Sequence, residues 1–231
     1  MPMYYFLCAV VGDSETWVVD TGFGRTDAAA RRRNLLRTAA DALAVVGVDA
    51  RQVTDVVLTH LHYDHAGGLE HFPSARFHVQ DREMAFATGR HMIEPAQGHG
   101  FTADHVAALV RHVHAGRVVF HAGDDELAPG VSVHLLGGHT DGLQVVRVET
   151  EQGAMVLASD ATHYYENIEA GRPFPVVFDV GTMVEGWDIL RRLASSPDAI
   201  IPGHDPLVLE RYPASAPGCE GVAARLDLGR L

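Results

Sequence analysis

Two runs dense in β-branched and aromatic residues open the chain, 4–11 and 16–19, and Gly12, Asp13, Ser14 and Glu15 between them suit a turn. They predict a hairpin. Leu35, Leu36, Ala39, Ala42, Leu43 and Val46 then recur at helical spacing, with Gly47 as a stop, which predicts one helix over 27–46. Residues 53–59 read as a short β-branched strand, 75–79 as another strand and 81–87 as a helix. Residues 88–101 carry three glycines and Pro95 and read as a long loop. Thr102 can cap a helix through about 114, since Val106, Leu109, Val110 and Val113 share one face. Strands follow over 118–120, 131–136, 143–149 and 154–159, then a helix over 182–194 and a strand over 199–201. This order predicts an α/β layered fold, and no repeat or linker divides 1–231 into more than one domain. The apolar opening lacks a basic leader and a small-residue cleavage site, so it reads as a strand and not as a signal peptide. No apolar run reaches the roughly eighteen residues that a membrane span needs.

Composition narrows the chemistry. The chain has 231 residues, 47% of them hydrophobic, enough to bury a sizeable core. A formal charge of -12, from 18 basic and 30 acidic residues, repels a phosphate backbone, so no nucleic-acid partner is expected. Every basic residue is arginine, which excludes Schiff-base chemistry on a lysine. Cys8 and Cys219 stand at opposite ends without metal or redox spacing, which fits a reducing, cytoplasmic setting better than a disulfide framework. Histidine is the outlier at 15 residues, and that excess calls for metal or acid-base chemistry.

Four potential ligands, His60, His62, Asp64 and His65, fall within six residues directly after a predicted strand. In an extended segment His60 and His62 project to the same side, so both can reach one ion. Asp64 and His65 come after the chain must bend and can face a second ion. More donors are needed than one strand end supplies. Three other predicted strands are each followed by a ligand-type residue: His139 after Gly137-Gly138, Asp160 after 154–159, and His204 after Pro202-Gly203. Asp20, between a strand and Thr21-Gly22, either orients a metal-bound histidine or simply forms a turn. Thr59 and Thr140, beside ligands, read as local caps.

The pattern His60-x-His62-x-Asp64-His65, followed in order by His139, Asp160 and His204, resembles the metallo-β-lactamase superfamily. The resemblance runs from Asp20-Thr21-Gly22 to Gly203-His204-Asp205. It implies an αββα sandwich in which His60, His62 and His139 bind one metal ion, Asp64, His65 and His204 bind the other, and Asp160 bridges them. Two divalent cations roughly 3.5 to 4 Å apart would acidify a shared water and polarise a substrate carbonyl. Zinc suits this donor set, and iron, manganese or cobalt also fit.

Ser159-Asp160-Ala161-Thr162-His163-Tyr164 is similar to the N-acyl-homoserine lactonases, in which a tyrosine three positions after the bridging aspartate assists at the lactone carbonyl. Here that position holds His163, with Tyr164 next to it. Asp64, His163 and Tyr164 are therefore the catalytic candidates, the last two as donors to a developing oxyanion. The resemblance implies opening of a lactone or related ester by a metal-bridging hydroxide. Two alternatives share the scaffold. A glyoxalase-II-like thioesterase would carry a longer helical segment than the 27 residues after His204; a non-catalytic metal-binding protein would not keep every ligand position filled. True β-lactamases fit poorly, lacking the bridging aspartate. Residues 88–114 are the expected substrate cover, with Phe86, Met92, Ile93 and Phe101 able to line an apolar pocket. The lactonases also carry an extra strand ahead of 4–11, and a strand edge left open by its absence would suit a second copy of the chain as a homodimer.

Overall fold

Side chains alternate along a strand, so each strand here can offer one face to a helix layer. Residues 2–12 and 15–231 are described by a computed structural model. The chain divides into two compact units: a first, Leu7–Ala122, and a second formed by Met1–Phe6 with Gly123–Leu231.

The first unit holds β1 (Cys8–Val11), β2 (Thr16–Val19), α1 (Arg25–Arg31), α2 (Ala39–Val45), β3 (Asp55–Val57), α3 (Tyr63–Ala66), β4 (Arg76–Gln80), α4 (Asp81–Ala87), α5 (Pro95–Gly98), α6 (Ala103–His114) and β5 (Val118–His121). The strands make a mixed sheet in the order β1-β2-β3-β4-β5, antiparallel at the first pair and parallel after it. Val18, Val56, Phe77 and Val79 share a core with Leu43, Phe72 and Leu109. The hairpin forms as expected, with Asp13 and Ser14 of its turn outside the described residues.

The helix predicted over 27–46 is two helices. Arg32 turns left-handed at φ 53° and closes α1 among three consecutive guanidinium groups, and Leu36 lies 85% exposed, so the apolar spacing around it buries nothing. α2 begins anew at Thr38, whose hydroxyl accepts from the Asp41 amide while the Asp41 carboxylate reaches back to the Thr38 amide. The predicted loop over 88–101 contains a single-turn helix over 90–93 and α5, started by Pro95. Thr102 does precede α6 but makes no cap; its hydroxyl donates to Asp27 instead.

The second unit holds β6 (Asp125–Ala128), β7 (Val131–Leu135), β8 (Gln144–Thr150), β9 (Gly153–Ser159), α7 (Tyr165–Ala170), α8 (Val180–Leu193), β10 (Ile200–Pro202) and α9 (Leu207–Arg211). Its sheet runs β10-β9-β8-β7-β6, antiparallel except for the β9/β10 pair. Leu143, Val145, Val156 and Ala158 pack against Met183, Trp187 and Leu190 of α8. β6, α7 and α9 are absent from the sequence reading. The predicted first strand is also shorter, because Tyr4 bonds through its main chain to His204 in this unit and leaves only Cys8–Val11 for the sheet.

The parallel β9/β10 pair carries a register irregularity at Pro202, which stands opposite Ser159, so the two strands end side by side just before His204 and Asp160. Both cysteines are free thiols. Loss of hydration, helped by the Asp20 carboxylate, pushes the Cys8 thiol up to about 12, which leaves little thiolate at neutral pH. Among the described residues no helix is long and apolar enough to cross a membrane.

Trp187 ties α8 to the loop after β9: the indole is 2% exposed and its Nε1 donates to Ala161 O at 2.8 Å. Trp187→Ala should cost about 3–5 kcal/mol in urea unfolding, as for other large aromatic-to-alanine changes in a core. A loss below about 1 kcal/mol, the size of an exposed substitution, would show that the ring does not anchor the helix.

Candidate metal centre

In the first unit the segment after β3 enters α3 through His62, whose extended backbone precedes the helix. His60, His62, Asp64 and His65 are all buried. The His60 ring lies 4.6 Å from that of His62 and 4.1 Å from that of His65, and His65 Nε2 is 3.6 Å from Asp64 Oδ2. Crowding of this kind follows from the short spacing in sequence.

The turn at Asp20 fixes the group. Asp20 takes a left-handed backbone at φ 65° and its Oδ2 accepts from His65 Nδ1 at 2.8 Å. Its other oxygen accepts from the Thr59 amide at 2.8 Å. Asp20 is therefore both a turn former and the acceptor that orients a histidine. Thr59 does not cap local backbone as expected; its hydroxyl donates to the Asp20 carboxylate at 2.8 Å and lies 3.2 Å from His60 Nδ1. Glu83 of α4, fully buried, accepts from the Leu61 amide at 2.9 Å and so pins the backbone between His60 and His62. Nothing in the sequence marked Glu83, since one acidic residue near a helix start is ordinary.

In the second unit Asp160 follows Ser159, itself at a left-handed φ of 45°. His204 Nε2 stands 3.0 Å from Asp160 Oδ1, while His139 Nε2 and His163 Nε2 stand 3.2 and 2.9 Å from Oδ2. Asp160, His163 and His204 bring donor atoms within 4.8 Å of one another. Gly203 makes the approach possible, because a Cβ there would sit 2.8 Å from Asp160 Oδ1 and from Ser159 O. His163 stacks on Phe174 with ring centroids 3.5 Å apart. Tyr164 does not join it: the hydroxyl donates to Pro2 O at 3.3 Å, and burial together with the Asp205 carboxylate raises the phenol above its usual range. Asp205, another residue the sequence did not single out, accepts from the Tyr165 and Leu207 amides and holds the loop beyond His204.

The donor chemistry fits a metal. His139 Nδ1 lies 2.7 Å from Val176 O and His204 Nδ1 2.6 Å from Tyr4 O. A carbonyl oxygen can only accept, so both Nδ1 atoms carry a proton, and in the neutral ring that a metal requires each Nε2 presents its lone pair. Those lone pairs face carboxylate oxygens, a repulsive arrangement that a cation between them reverses. Separations of 3.0 and 3.2 Å also suit it, since two donors about 2.0 Å from a tetrahedral ion lie about 3.3 Å apart. His65, held at Nδ1 by Asp20, is prepared in the same way.

The sequence model of the Metallo-beta-lactamase superfamily matches residues 4–204, most of the chain, a span that encloses the seven candidate ligands. The chain belongs to this superfamily. N-acyl homoserine lactonase AiiA of Bacillus thuringiensis subsp. kurstaki is 32% identical over 132 residues, which are 56% of this superfamily member and 46% of AiiA. AiiB of Agrobacterium fabrum, also an N-acyl homoserine lactonase, is 34% identical over 133 residues, 54% of this chain and 46% of AiiB. The chain thus spans under half the length of these curated relatives. A crystal structure of a quorum-quenching N-acyl homoserine lactone lactonase superposes with a TM-score of 0.73 at 24% identity, over 88% of this chain and 80% of that one. An N-acyl homoserine lactone hydrolase with N-hexanoyl-L-homoserine at its catalytic metal centre gives 0.71, also at 24%, over 88% and 82%. These likenesses show the metallo-β-lactamase fold that the sequence pattern implied.

Asp20→Asn keeps a residue that tolerates the left-handed turn but weakens the acceptor on His65 Nδ1. Metal affinity, measured by competition with a chromophoric chelator, should fall about tenfold or more, as when other outer partners of metal-bound histidines are changed. Affinity equal to wild type would mean that Asp20 serves the turn alone.

Proposed function

We propose that this chain is a dinuclear metal-dependent hydrolase that opens a lactone or related ester, with an N-acyl-homoserine lactone as the leading substrate. The observation that carries the reading is the Asp160 carboxylate, which meets the His204 imidazole at one oxygen and those of His139 and His163 at the other. A carboxylate so divided is built to span two cations. In this reading His60, His62 and His139 hold one ion, Asp64, His65 and His204 hold the second, and Asp160 serves both. Support comes from the superfamily match that encloses all seven positions and from the lactonases among its relatives.

Two divalent ions, zinc first among the candidates, supply an acidified water and a Lewis acid for the substrate carbonyl. The chain's own residues set the geometry around them. Asp20, Val176 O and Tyr4 O fix the Nδ1 protons of His65, His139 and His204, so that each ring turns Nε2 inward. His163 takes the place of the lactonase tyrosine; held between Asp160 and the Phe174 ring, it serves as the donor to the developing oxyanion, and Tyr164, engaged with Pro2, does not.

Residues 1–231 act in this reading as one catalytic domain covered by 88–114. A cavity of about 540 Å³ formed by that segment itself is lined by Met92, Phe101, Val106, Val110 and Arg111 among others. Of the apolar residues expected there, Met92 and Phe101 line it, Phe86 is buried against the Phe101 ring, and Ile93 points outward at 81% exposure. A cytoplasmic setting and a homodimer through the outer edge of β1 complete the proposal.

The test is a panel of lactones, aryl esters and thioesters incubated with the zinc- or cobalt-loaded protein, followed by proton release or chromophore. Lactones should turn over, and His62→Ala and Asp160→Ala should each lower kcat/KM by about a hundredfold or more, as expected when a metal-activated water is lost. Flat lactone traces from protein of confirmed metal content would overturn the lactonase assignment. Thioester turnover without lactone turnover would move it to the glyoxalase-II-like alternative, and mutants as active as wild type would place the chemistry elsewhere.

A further inference from the structure

We infer that Arg31, on α1, is a positioning residue for His62: it fastens segment 99–102 across the metal-binding motif. The inference rests on the reading of His62 as a metal ligand. Arg31 Nη1 donates to His99 O at 2.7 Å, and Nη2 reaches Phe101 O and the Thr102 hydroxyl, each at 3.3 Å. The guanidinium carbon lies over the Tyr63 ring, 4.0 Å from its centroid. Thr102 in turn donates to Asp27 Oδ1 at 3.0 Å, and Asp27 Oδ2 stands 3.2 Å from His105 Nε2 on α6. One side chain thus gathers acceptors from residues 99, 101 and 102 and stacks on the residue after His62.

The segment so held presses on the ligand. Gly100 O accepts from the Tyr63 amide at 2.9 Å, and His62 and Phe101 form an isolated antiparallel bridge. The Phe101 ring meets the His62 ring edge to face at 4.6 Å. A Cβ on Gly100 would come within 2.5 Å of the His62 imidazole, so only glycine lets the backbone lie this close. His62 therefore owes its orientation on one side to a loop, and that loop is held by a planar group with donors in a fixed fork. Lysine, with one compact charge and no planar face, cannot make the same contacts.

The experiment compares wild type, Arg31→Ala, Arg31→Lys and Arg37→Ala, an exposed arginine as the charge control. Hydrogen exchange at the Tyr63 amide reads the loop contact, and loss of zinc or cobalt to a chelator reads the ligand. Both Arg31 variants should exchange Tyr63 and release metal about tenfold faster or more, in the range seen for outer partners of metal ligands, with Arg37→Ala and the amides of β3 and β4 unchanged. Wild-type metal retention in Arg31→Ala, or recovery by Arg31→Lys, overturns the inference. If Arg31→Ala loses protection throughout, Thr102→Val, which removes only the hydroxyl that accepts from Arg31 and donates to Asp27, replaces it under the same criteria. A wild type that takes up no metal sinks the hydrolase reading, and unchanged Tyr63 exchange in the variants sinks the latch separately.

Discussion

A buried carboxylate must be compensated, and the second unit is arranged around one. Asp160 is 3% exposed and carries a charge that water would otherwise stabilise by several kcal/mol. Imidazole nitrogens stand at both of its oxygens, and the neutral rings of His139 and His204, with Nδ1 protons given to Val176 O and Tyr4 O, would present lone pairs there. That arrangement is unfavourable as a set of neutral rings around an anion and favourable once cations share the space. The left-handed Ser159, the close approach of Gly203 and the irregular pairing at Pro202 are backbone features with one shared effect, which is to deliver Asp160 and His204 to the same point. Strain of this kind persists only where surrounding structure imposes it, here two strands locked side by side and the Trp187 indole on Ala161 O.

The first unit solves the complementary problem. Its histidines are adjacent in sequence, so no long-range pairing is needed to gather them; what must be supplied is orientation. Asp20 does this from β2 and Glu83 from α4, one through an imidazole nitrogen and the other through a backbone amide. The two carboxylates act at different levels. Asp20 selects the protonation of a ring, whereas Glu83 fixes the strand end that carries two rings.

Sequence patterns reached the parts of the molecule where one residue does one thing. The α4 helix and the presence of β3, β4 and β9 followed from β-branched runs and stop signals, and the candidate ligands followed from their tight spacing and position after strands. Periodicity failed over 27–46 because apolar spacing does not say whether an apolar residue is buried; Leu36 is solvent-exposed, and the capping pair Thr38 and Asp41 was the signal for a new helix. β6 escaped because its residues, Asp125 to Ala128, have no strand-like apolar alternation, although they pair with β7. The metal site was legible for the same reason that its support was not. Candidate ligands come from a few side-chain types, here histidine and aspartate, but an acceptor on Nδ1 can be any carbonyl in the chain, and Val176 and Tyr4 carry no mark of that duty in their side chains.

Where the lactonases have a tyrosine, His163 changes the physics of the site as well as its composition. A phenol donates its proton from the end of a long, neutral side chain. An imidazole 2.9 Å from Asp160 Oδ2 and stacked on Phe174 is shorter, more deeply placed and bound to the same carboxylate that the metal ions would share. Any hydrogen bond it gives to substrate is therefore coupled to the charge on Asp160, which a remote phenol would not be. Tyr164 cannot restore the lactonase arrangement, because its hydroxyl is directed to Pro2 and its backbone is tied into the start of α7 by the Asn167 side chain. If the proposed function holds, substrate preference in this member of the superfamily would depend on how an imidazole, and not a phenol, meets the carbonyl. Under the proposed function, the oxygen that His163 shares with His139 would be the point at which ligand geometry and substrate recognition become one constraint.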